Sequence, residues 1–286
     1  MTSFIVLLAL IAMCLAQSGC MTADVRLANF MSRDRAPRTA VLPRGYAVQD
    51  LVIHRGNRAI GITHAHHPAS RSVVIFCGGD SFHRSIDGAE ALESLALGAD
   101  VVLFDYPGYG DSSGSPTPAA LIETALAVYD YVDTLQTSAG KKRVLYGFSL
   151  GGLVAARVAR ERAADGLVLE ATAANATSWA RSRIPWYLKP LVRPRVEREL
   201  ADVDAPAALA RFRGLVLVLG SRADRRAPES LSREIFRKLV RNGVSTSLVV
   251  FKRAAHGEIN HSKAFAPVFR QFLETLQEPQ WALLRD

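Results

Sequence analysis

The sequence predicts an α/β domain with a mostly parallel, eight-stranded sheet, helices on both faces and a small cap. Apolar runs of strand length alternate with longer helical patterns from residue 46 onward. The 286 residues, 49% of them hydrophobic, are enough for one full-sized core. No internal repeat or low-complexity tract breaks this order. We therefore expect a single domain over residues 45–278, followed by an irregular tail at residues 279–286.

The N-terminal twenty residues predict an export segment. Residues 4–16 form an apolar stretch that is too short to span a bilayer but has the length of a signal-peptide core. Small residues directly before Cys20 resemble the lipobox of bacterial lipoproteins, whose Cys is lipidated. We expect residues 1–20 to be a lipoprotein signal with Cys20 as the lipidated residue, and plain secretion and an uncleaved anchor are the alternatives.

The polar stretch after Cys20 predicts a tether over residues 21–44. The protein is then expected to be exported and either secreted or held at the membrane, in the periplasm or at the outer membrane, by its lipid or its signal segment. Of the three cysteines only Cys77 lies in the predicted domain, so no disulfide framework is expected. We interpret Cys77 as a small buried hydrophobic residue at a strand end.

The first predicted elements are three strands. Tyr46–His54 and Arg58–His66 are joined at Gly56, where Gly-Asn is a hairpin turn signal, and Arg71–Cys77 follows. The remaining strands are expected at Asp100–Asp105, Lys142–Gly147, Gly166–Glu170, Leu215–Gly220 and Ser245–Phe251. The helices are expected at Ile86–Leu97, Pro118–Leu135, Leu150–Ala164, Glu229–Arg241 and Ser262–Leu276.

Residues 172–210 interrupt the alternation and lack strand periodicity, so we interpret them as the cap. Trp179, Trp186 and Tyr187 are expected to pack within it rather than to form an acyl-chain pocket. The net charge of the whole chain is +8, and basic residues are dense in the predicted cap, at Arg181, Arg183, Lys189, Arg193, Arg195 and Arg198. This basic cluster fits either contact with anionic lipid head groups or an acidic substrate, or an ordinary solvated surface. Nothing in the sequence indicates nucleic-acid binding.

Ser149 is the predicted nucleophile. It lies in Gly-Phe-Ser-Leu-Gly, between a predicted strand and a predicted helix, and Gly147 and Gly151 permit the sharp turn that such a serine requires. The alternative is that Ser149 is an ordinary helix N-cap.

Asp224 and His256 are the predicted acid and base. Each follows one of the last two strands, and loops after parallel strands emerge at one edge of the sheet, so both can meet Ser149. Glu170 is the alternative acid and His261 the alternative base.

With this Ser-Asp-His order and the loop at residues 104–114, the chain resembles the α/β-hydrolases of the serine-aminopeptidase, monoacylglycerol-lipase and Bem46-like group over residues 45–278. The resemblance implies a hydrolase with no metal or organic cofactor. Leu150 is expected to supply one oxyanion-hole N–H and Gly79 the other, with Gly78 or Asp80 as alternatives.

Three histidines, His64, His66 and His67, suggest metal ligands at first sight. Strand alternation places His67 on the opposite face, and we expect no metal site because no Cys or Asp cluster accompanies the histidines in the sequence. The function predicted is a serine hydrolase that acts on a small-molecule or lipid ester. An amide hydrolase and a non-catalytic binding lipoprotein are the rival hypotheses.

Overall fold

An eight-stranded sheet lies at the centre of the computed structural model, which describes residues 21–25 and 41–278. The strands in these residues are β1 (Met21–Val25), β2 (Ala47–Arg55), β3 (Arg58–His66), β4 (Ser72–Cys77), β5 (Asp100–Phe104), β6 (Lys142–Phe148), β7 (Gly166–Glu170), β8 (Val192–Val196), β9 (Leu215–Ser221) and β10 (Thr246–Phe251). The sheet order is β10-β9-β7-β6-β4-β5-β3-β2, and all pairs are parallel except β2–β3 and β3–β5.

Helices cover both faces of this sheet. They are α1 (Arg84–Leu95), α2 (Pro118–Thr134), α3 (Leu150–Glu161), α4 (Ala176–Arg183), α5 (Arg198–Ala201), α6 (Ala205–Ala208), α7 (Glu229–Arg241) and α8 (Phe265–Thr275), with a short 3-10 helix at Gln136–Ser138. Helices α2, α3 and α7 share one hydrophobic core with the sheet, and α1 and α8 share the other. The α/β-hydrolase fold predicted from the sequence is confirmed.

Alternation along the central strands supplies both cores. In β4, Ile75 belongs to the core with α2 and α3, whereas its neighbours Val74 and Phe76 belong to the core with α1 and α8. All six residues of β4 are buried, which explains why the central strands are continuous apolar runs. Each large side chain buried in this way contributes roughly 1.5–3 kcal/mol to stability.

The predicted strands of the sheet are all present, with ends that differ by at most one residue. The ends of the helices differ more from the predicted ends. Helix α3 stops at Glu161 because the backbone of Arg162 is extended, and α8 starts at Phe265 because turns with hydrogen bonds between residues i and i+3 precede it. Cys77 is buried at the end of β4, as expected, and burial raises the pKa of its thiol.

The cap differs from the sequence-based prediction. No strand was expected within residues 172–210, yet β8 forms there and pairs in parallel with β1, at the start of the predicted tether. The Val-Arg-Pro-Arg-Val alternation accounts for β8, since Pro194 is tolerated in a small edge sheet. The predicted signal segment with Cys20, residues 26–40 of the predicted tether and the predicted tail lie outside the described residues. In the described part of the chain, none of the helices has the length and apolar character to cross a membrane.

Candidate active site

Ser149 lies on the turn between β6 and α3, with φ of 53° and ψ of −118°. A non-glycine residue rarely adopts positive φ, so the surrounding chain must hold this strained conformation. Packing explains the flanking glycines, because a Cβ at Gly147 would lie 2.5 Å from the Gly151 carbonyl oxygen, and one at Gly151 would lie 2.0 Å from the Cys77 carbonyl oxygen. The Ser149 side chain makes no helix-capping hydrogen bond.

The Ser149 hydroxyl instead contacts His256. Its Oγ lies 3.1 Å from Nε2 of His256, and Nδ1 of the same ring lies 2.8 Å from Oδ2 of Asp224. The structure therefore brings together the three residues predicted from the sequence, from the ends of β6, β9 and β10. Since an ionised carboxylate only accepts hydrogen bonds, Asp224 favours the tautomer with a proton on Nδ1, which leaves the Nε2 lone pair facing Ser149.

Local contacts fix the acid and the base. Oδ1 of Asp224 accepts hydrogen bonds from the backbone N–H groups of Arg226 and Ala227, both at 2.8 Å, and only 1% of its side chain is exposed. The His256 ring packs against Phe148 with a centroid separation of 5.0 Å. Each group is thus oriented by neighbours that do not react.

The alternative acid and base have other partners. Glu170 accepts a hydrogen bond from the Tyr146 hydroxyl, and burial raises the pKa of its carboxyl to about 7. Nε2 of His261 lies 3.6 Å from Glu90. The hydrogen bonds to Ser149 and to the His256 ring therefore favour Asp224 and His256 over these alternatives.

The two backbone segments predicted to bind an oxyanion both lie beside Ser149. Leu150 is the first residue of α3, so its N–H has no partner inside the helix. A Cβ at Gly79 would lie 3.0 Å from the Phe148 ring and 3.5 Å from the Ser149 Cβ, which places this loop directly against the nucleophile.

An ion pair that we did not predict holds the Gly79 loop. Oδ2 of Asp80 lies 3.0 Å from Nη2 of Arg226, two residues after Asp224. The pair joins the loop after β4 to the loop that carries the acid. The Asp at position 80, beside the predicted oxyanion donor, was the available sequence signal, but its partner is 146 residues away.

Two pockets meet at this site and share Asp80, Arg226 and His256. The smaller, of about 60 Å³, is largely apolar and is lined by Ser149 and Trp179. The larger, of about 390 Å³, extends past His256, and its lining includes the carboxylates Asp80, Asp87, Glu90, Glu170 and Glu258.

The expectation that three aromatic residues pack within the cap and form no pocket is wrong for Trp186 and Tyr187, which are exposed, and Trp179 lines the pocket beside Ser149. Trp186 and Tyr187 are 80% and 61% exposed, because they follow the end of α4 and lie outside the cap interior. Trp179 is anchored by a hydrogen bond from its Nε1 to the Arg226 carbonyl, and it lines the smaller pocket.

The histidines set aside in the sequence do have an acidic neighbour. Asp100 lies beside His64 and His66, with potential ligand atoms all within 4.8 Å of one another. Asp100 already accepts hydrogen bonds from Lys141, His66 and the backbone of His67. The carboxylate thus has a cationic partner, and we propose no metal site here.

Comparison with known proteins identifies the family. Residues 73–270 match the alpha/beta hydrolase family. The chain belongs to this family. The alpha/beta hydrolase described here is also 31% identical over 221 residues to the uncharacterized protein Rv2307c of Mycobacterium tuberculosis, a match that covers 73% of each chain.

Two further similarities concern a lipase and an esterase. The lysophosphatidylserine lipase ABHD12 of Gallus gallus is 33% identical over 121 residues, which cover 40% of this chain and 31% of the lipase. The Pyrococcus furiosus esterase Pf2001 superposes with a TM-score of 0.64 at 18% identity, over 84% of this chain and 99% of the esterase. At that identity the superposition shows the shared fold alone. These matches establish the family and not a subgroup within it.

Proposed function

We propose that the protein is a serine hydrolase that cleaves carboxylic esters. The observation that carries the proposal is the continuous hydrogen-bonded series Ser149–His256–Asp224, which opens on a pocket at its serine end. The partial similarity to a lysophosphatidylserine lipase supports an ester as the substrate.

In this mechanism the Ser149 hydroxyl attacks the ester carbonyl carbon while Nε2 of His256 takes its proton. Asp224 keeps the ring oriented and stabilises the imidazolium. The tetrahedral intermediate collapses, the bond to the alcohol oxygen breaks, and His256 returns the proton to that oxygen. Water then repeats the sequence on the acyl-enzyme, releasing the acid and the free serine.

Negative charge on the carbonyl oxygen is stabilised by backbone N–H groups, which we assign to Leu150 and Gly79. Loss of one such donor costs about 2.7–4 kcal/mol of transition-state stabilisation in serine hydrolases. Every step uses groups of this chain, so the proposal requires no cofactor.

The two pockets suggest how an ester is oriented. The small apolar pocket beside Ser149 suits a short acyl chain, and the larger cleft past His256 suits the alcohol that His256 protonates. We therefore expect short-chain esters to be better substrates than long-chain esters in a chromogenic series.

Amide hydrolysis is the second candidate. The carboxylates around the larger cleft would attract a basic amine leaving group. Turnover of an aminoacyl amide at a rate comparable with that of a matched ester would favour this candidate.

The proposed location is outside the cytoplasm, with Cys20 lipidated. Incorporation of a labelled fatty acid into the wild-type chain in a bacterial host, and its loss in Cys20→Ser, would support this proposal. Equal labelling of both chains, or of neither, would contradict it.

The experiment that tests catalysis is labelling with a fluorophosphonate, which reacts covalently with activated serines, followed by peptide mapping. We expect the label on Ser149 in the wild-type protein and none in Ser149→Ala or His256→Ala. His261→Ala is the matched control and should be labelled as the wild type is. A folded wild-type protein that takes no label would favour a non-catalytic binding role.

A further inference from the structure

A stretch of the cap, residues 186–195, combines exposed aromatic and basic side chains, and we call these exposed side chains the cap face. This cap face consists of Trp186, Tyr187, Lys189, Leu191, Arg193 and Arg195. Trp186, Tyr187 and Leu191 are 80%, 61% and 38% exposed, although large hydrophobic side chains are ordinarily removed from water. Between residues 181 and 198 the sequence has six basic residues and one acidic residue.

The geometry of β8 separates its two kinds of side chain. Val192, Pro194 and Val196 are half-buried, whereas Arg193 and Arg195 between them are exposed. Because successive side chains of a strand point to opposite faces, the two arginines share the outer face of the cap. The basic residues of this strand are therefore displayed together on one side.

The N-terminal segment joins the protein at this same place. Strand β1 pairs in parallel with β8, and Met21 is opposite Val192. Cys20, the last residue of the apolar N-terminal segment in the sequence, therefore directly precedes a residue held beside the cap face. A membrane attachment made through residues 1–20 would therefore hold β8 close to the bilayer.

We infer that the cap face docks on an anionic lipid bilayer. Trp and Tyr favour the membrane–water interface because their rings are amphipathic. Each Lys or Arg close to an anionic membrane surface adds about 1 kcal/mol of attraction. The aromatic and basic residues of the cap face thus match the two chemical layers of such a surface.

Docking in this orientation has a consequence for substrate access. Helix α4 directly precedes the cap face, and its Trp179 lines the pocket that holds Ser149. The rim of that pocket would then lie close to the bilayer. The docking inference does not depend on the proposed hydrolysis, since it concerns only the surface.

The test uses the full chain and its Cys20→Ser form in co-sedimentation with phosphatidylcholine vesicles, with and without phosphatidylglycerol. The cap variants are Trp186→Ala/Tyr187→Ala and Arg193→Glu/Arg195→Glu. Matched controls change exposed residues elsewhere, Val48→Ala/Val52→Ala and Arg241→Glu/Arg270→Glu. Amide hydrogen exchange with and without vesicles is measured over residues 184–196.

We expect phosphatidylglycerol to increase binding and to protect residues 184–196 from exchange. The arginine variant should bind anionic vesicles at least roughly 30-fold more weakly, which corresponds to the loss of two cations. The aromatic variant should bind both vesicle types more weakly, and the controls should bind as the unaltered chain does.

Equal binding by the cap variants and the unaltered chain, with no protection at residues 184–196, would overturn the inference and assign binding to the N-terminal segment. Hydrolysis of a soluble chromogenic ester is measured in parallel and should be unchanged in the cap variants. If the unaltered chain hydrolyses no ester, the proposed function fails, while the vesicle result still decides the docking inference.

Discussion

Two polar clusters of the molecule differ in how completely their hydrogen bonds are used. One is the group Ser149, His256 and Asp224. The other surrounds the Arg84 guanidinium. Its Nε donates to Asp105 and its Nη2 to Asp111, while its Nη1 donates to Asp50 and Thr63. Asp105 also accepts the backbone N–H of Arg84, so this second cluster has donors and acceptors matched on all sides.

The difference separates a cluster with a structural role from the group to which we assign the proposed reaction. Around Arg84, one guanidinium is shared by three carboxylates, and these contacts hold the loop after β5 in place. Around Ser149, the hydrogen bonds run in one direction, from a buried carboxylate through an imidazole to a hydroxyl on a strained turn beside a pocket. In this protein, a buried polar cluster therefore indicates a candidate reactive site only where its series of hydrogen bonds ends in a side chain that is free to react.

The largest fall in activity is expected when a member of the hydrogen-bonded series Ser149–His256–Asp224 is replaced. Ser149→Ala or His256→Ala should lower kcat for a chromogenic ester by about 10⁴-fold or more, because the residues of such a group act as a unit. Thermal unfolding of Ser149→Ala should shift little, since this change removes no partner of a buried carboxylate. Asp224 would also be tested by Asp224→Asn, and His261→Ala is the control. Loss of activity in His261→Ala with retention in His256→Ala would assign the base to His261.

Arg84→Met should lower stability and leave kcat unchanged, which is the reverse of the effect expected for Ser149→Ala. Removing the guanidinium leaves Asp105, whose side chain is fully buried, without its cation, and we expect a loss of about 3–5 kcal/mol of unfolding free energy. The folded fraction should keep its kcat. Urea unfolding measures the first quantity, and Arg84→Met/Asp105→Asn should recover part of the loss. A large fall in kcat without a change in stability would contradict the structural role of this cluster.

The sequence predicted the sheet and the Ser149 group well, for physical reasons. Central strands buried on both faces are continuous apolar runs, and the glycines at 147 and 151 mark the turn. The cap was predicted poorly because its packing depends on distant partners. Strand β8 exists through its pairing with β1, and Asp80 finds its charge partner Arg226 only in the folded chain.

Glu170 provides an intermediate case, because it is buried beside the reactive group but bonded to Tyr146. Burial raises the pKa of its carboxyl from 4.5 to about 7, so the folded state binds a proton that the unfolded state has lost between these pH values. Stability should therefore fall as pH rises from about 4.5 to about 8. Glu170→Gln should flatten this profile and add on the order of 2–3 kcal/mol above pH 7, with no gain near pH 4.5.

Urea unfolding across pH measures the effect of Glu170→Gln, and ester turnover serves as the second readout. The kcat should be unchanged, because the His256 ring contacts Asp224 rather than Glu170. Tyr146→Phe is the matched control: it removes a hydrogen bond that lowers the pKa of Glu170, so the fall in stability should extend to higher pH. A pH profile that Glu170→Gln leaves unaltered would show that another group is responsible.

A smaller effect is expected from the ion pair that supports the Gly79 loop. Asp80→Asn should lower kcat by roughly tenfold, because a less well fixed loop weakens one oxyanion donor that is worth several kcal/mol at full strength. Stability should change by less than about 1 kcal/mol, since half of the Arg226 side chain is exposed. The control is Glu229→Gln, which breaks the pair with Arg222 on the same loop and should leave kcat unchanged. An equal loss of kcat in both variants would show that removing any negative charge near this loop lowers activity, and that the Asp80–Arg226 pair has no specific role.

The smallest effect is expected at the exposed side of the structural cluster. Asp50 contacts Nη1 of Arg84 at 2.6 Å, but 69% of its side chain is exposed, so water replaces the lost contact. Asp50→Asn should therefore lower the unfolding free energy by less than about 1 kcal/mol, as is usual for exposed pairs. Urea midpoints of Asp50→Asn and Arg84→Met, measured together, show whether the exposed contact contributes less stability than the buried one. If both variants lost the same stability, the cluster would act as one unit, and burial would not determine how its energy is divided among the three carboxylates.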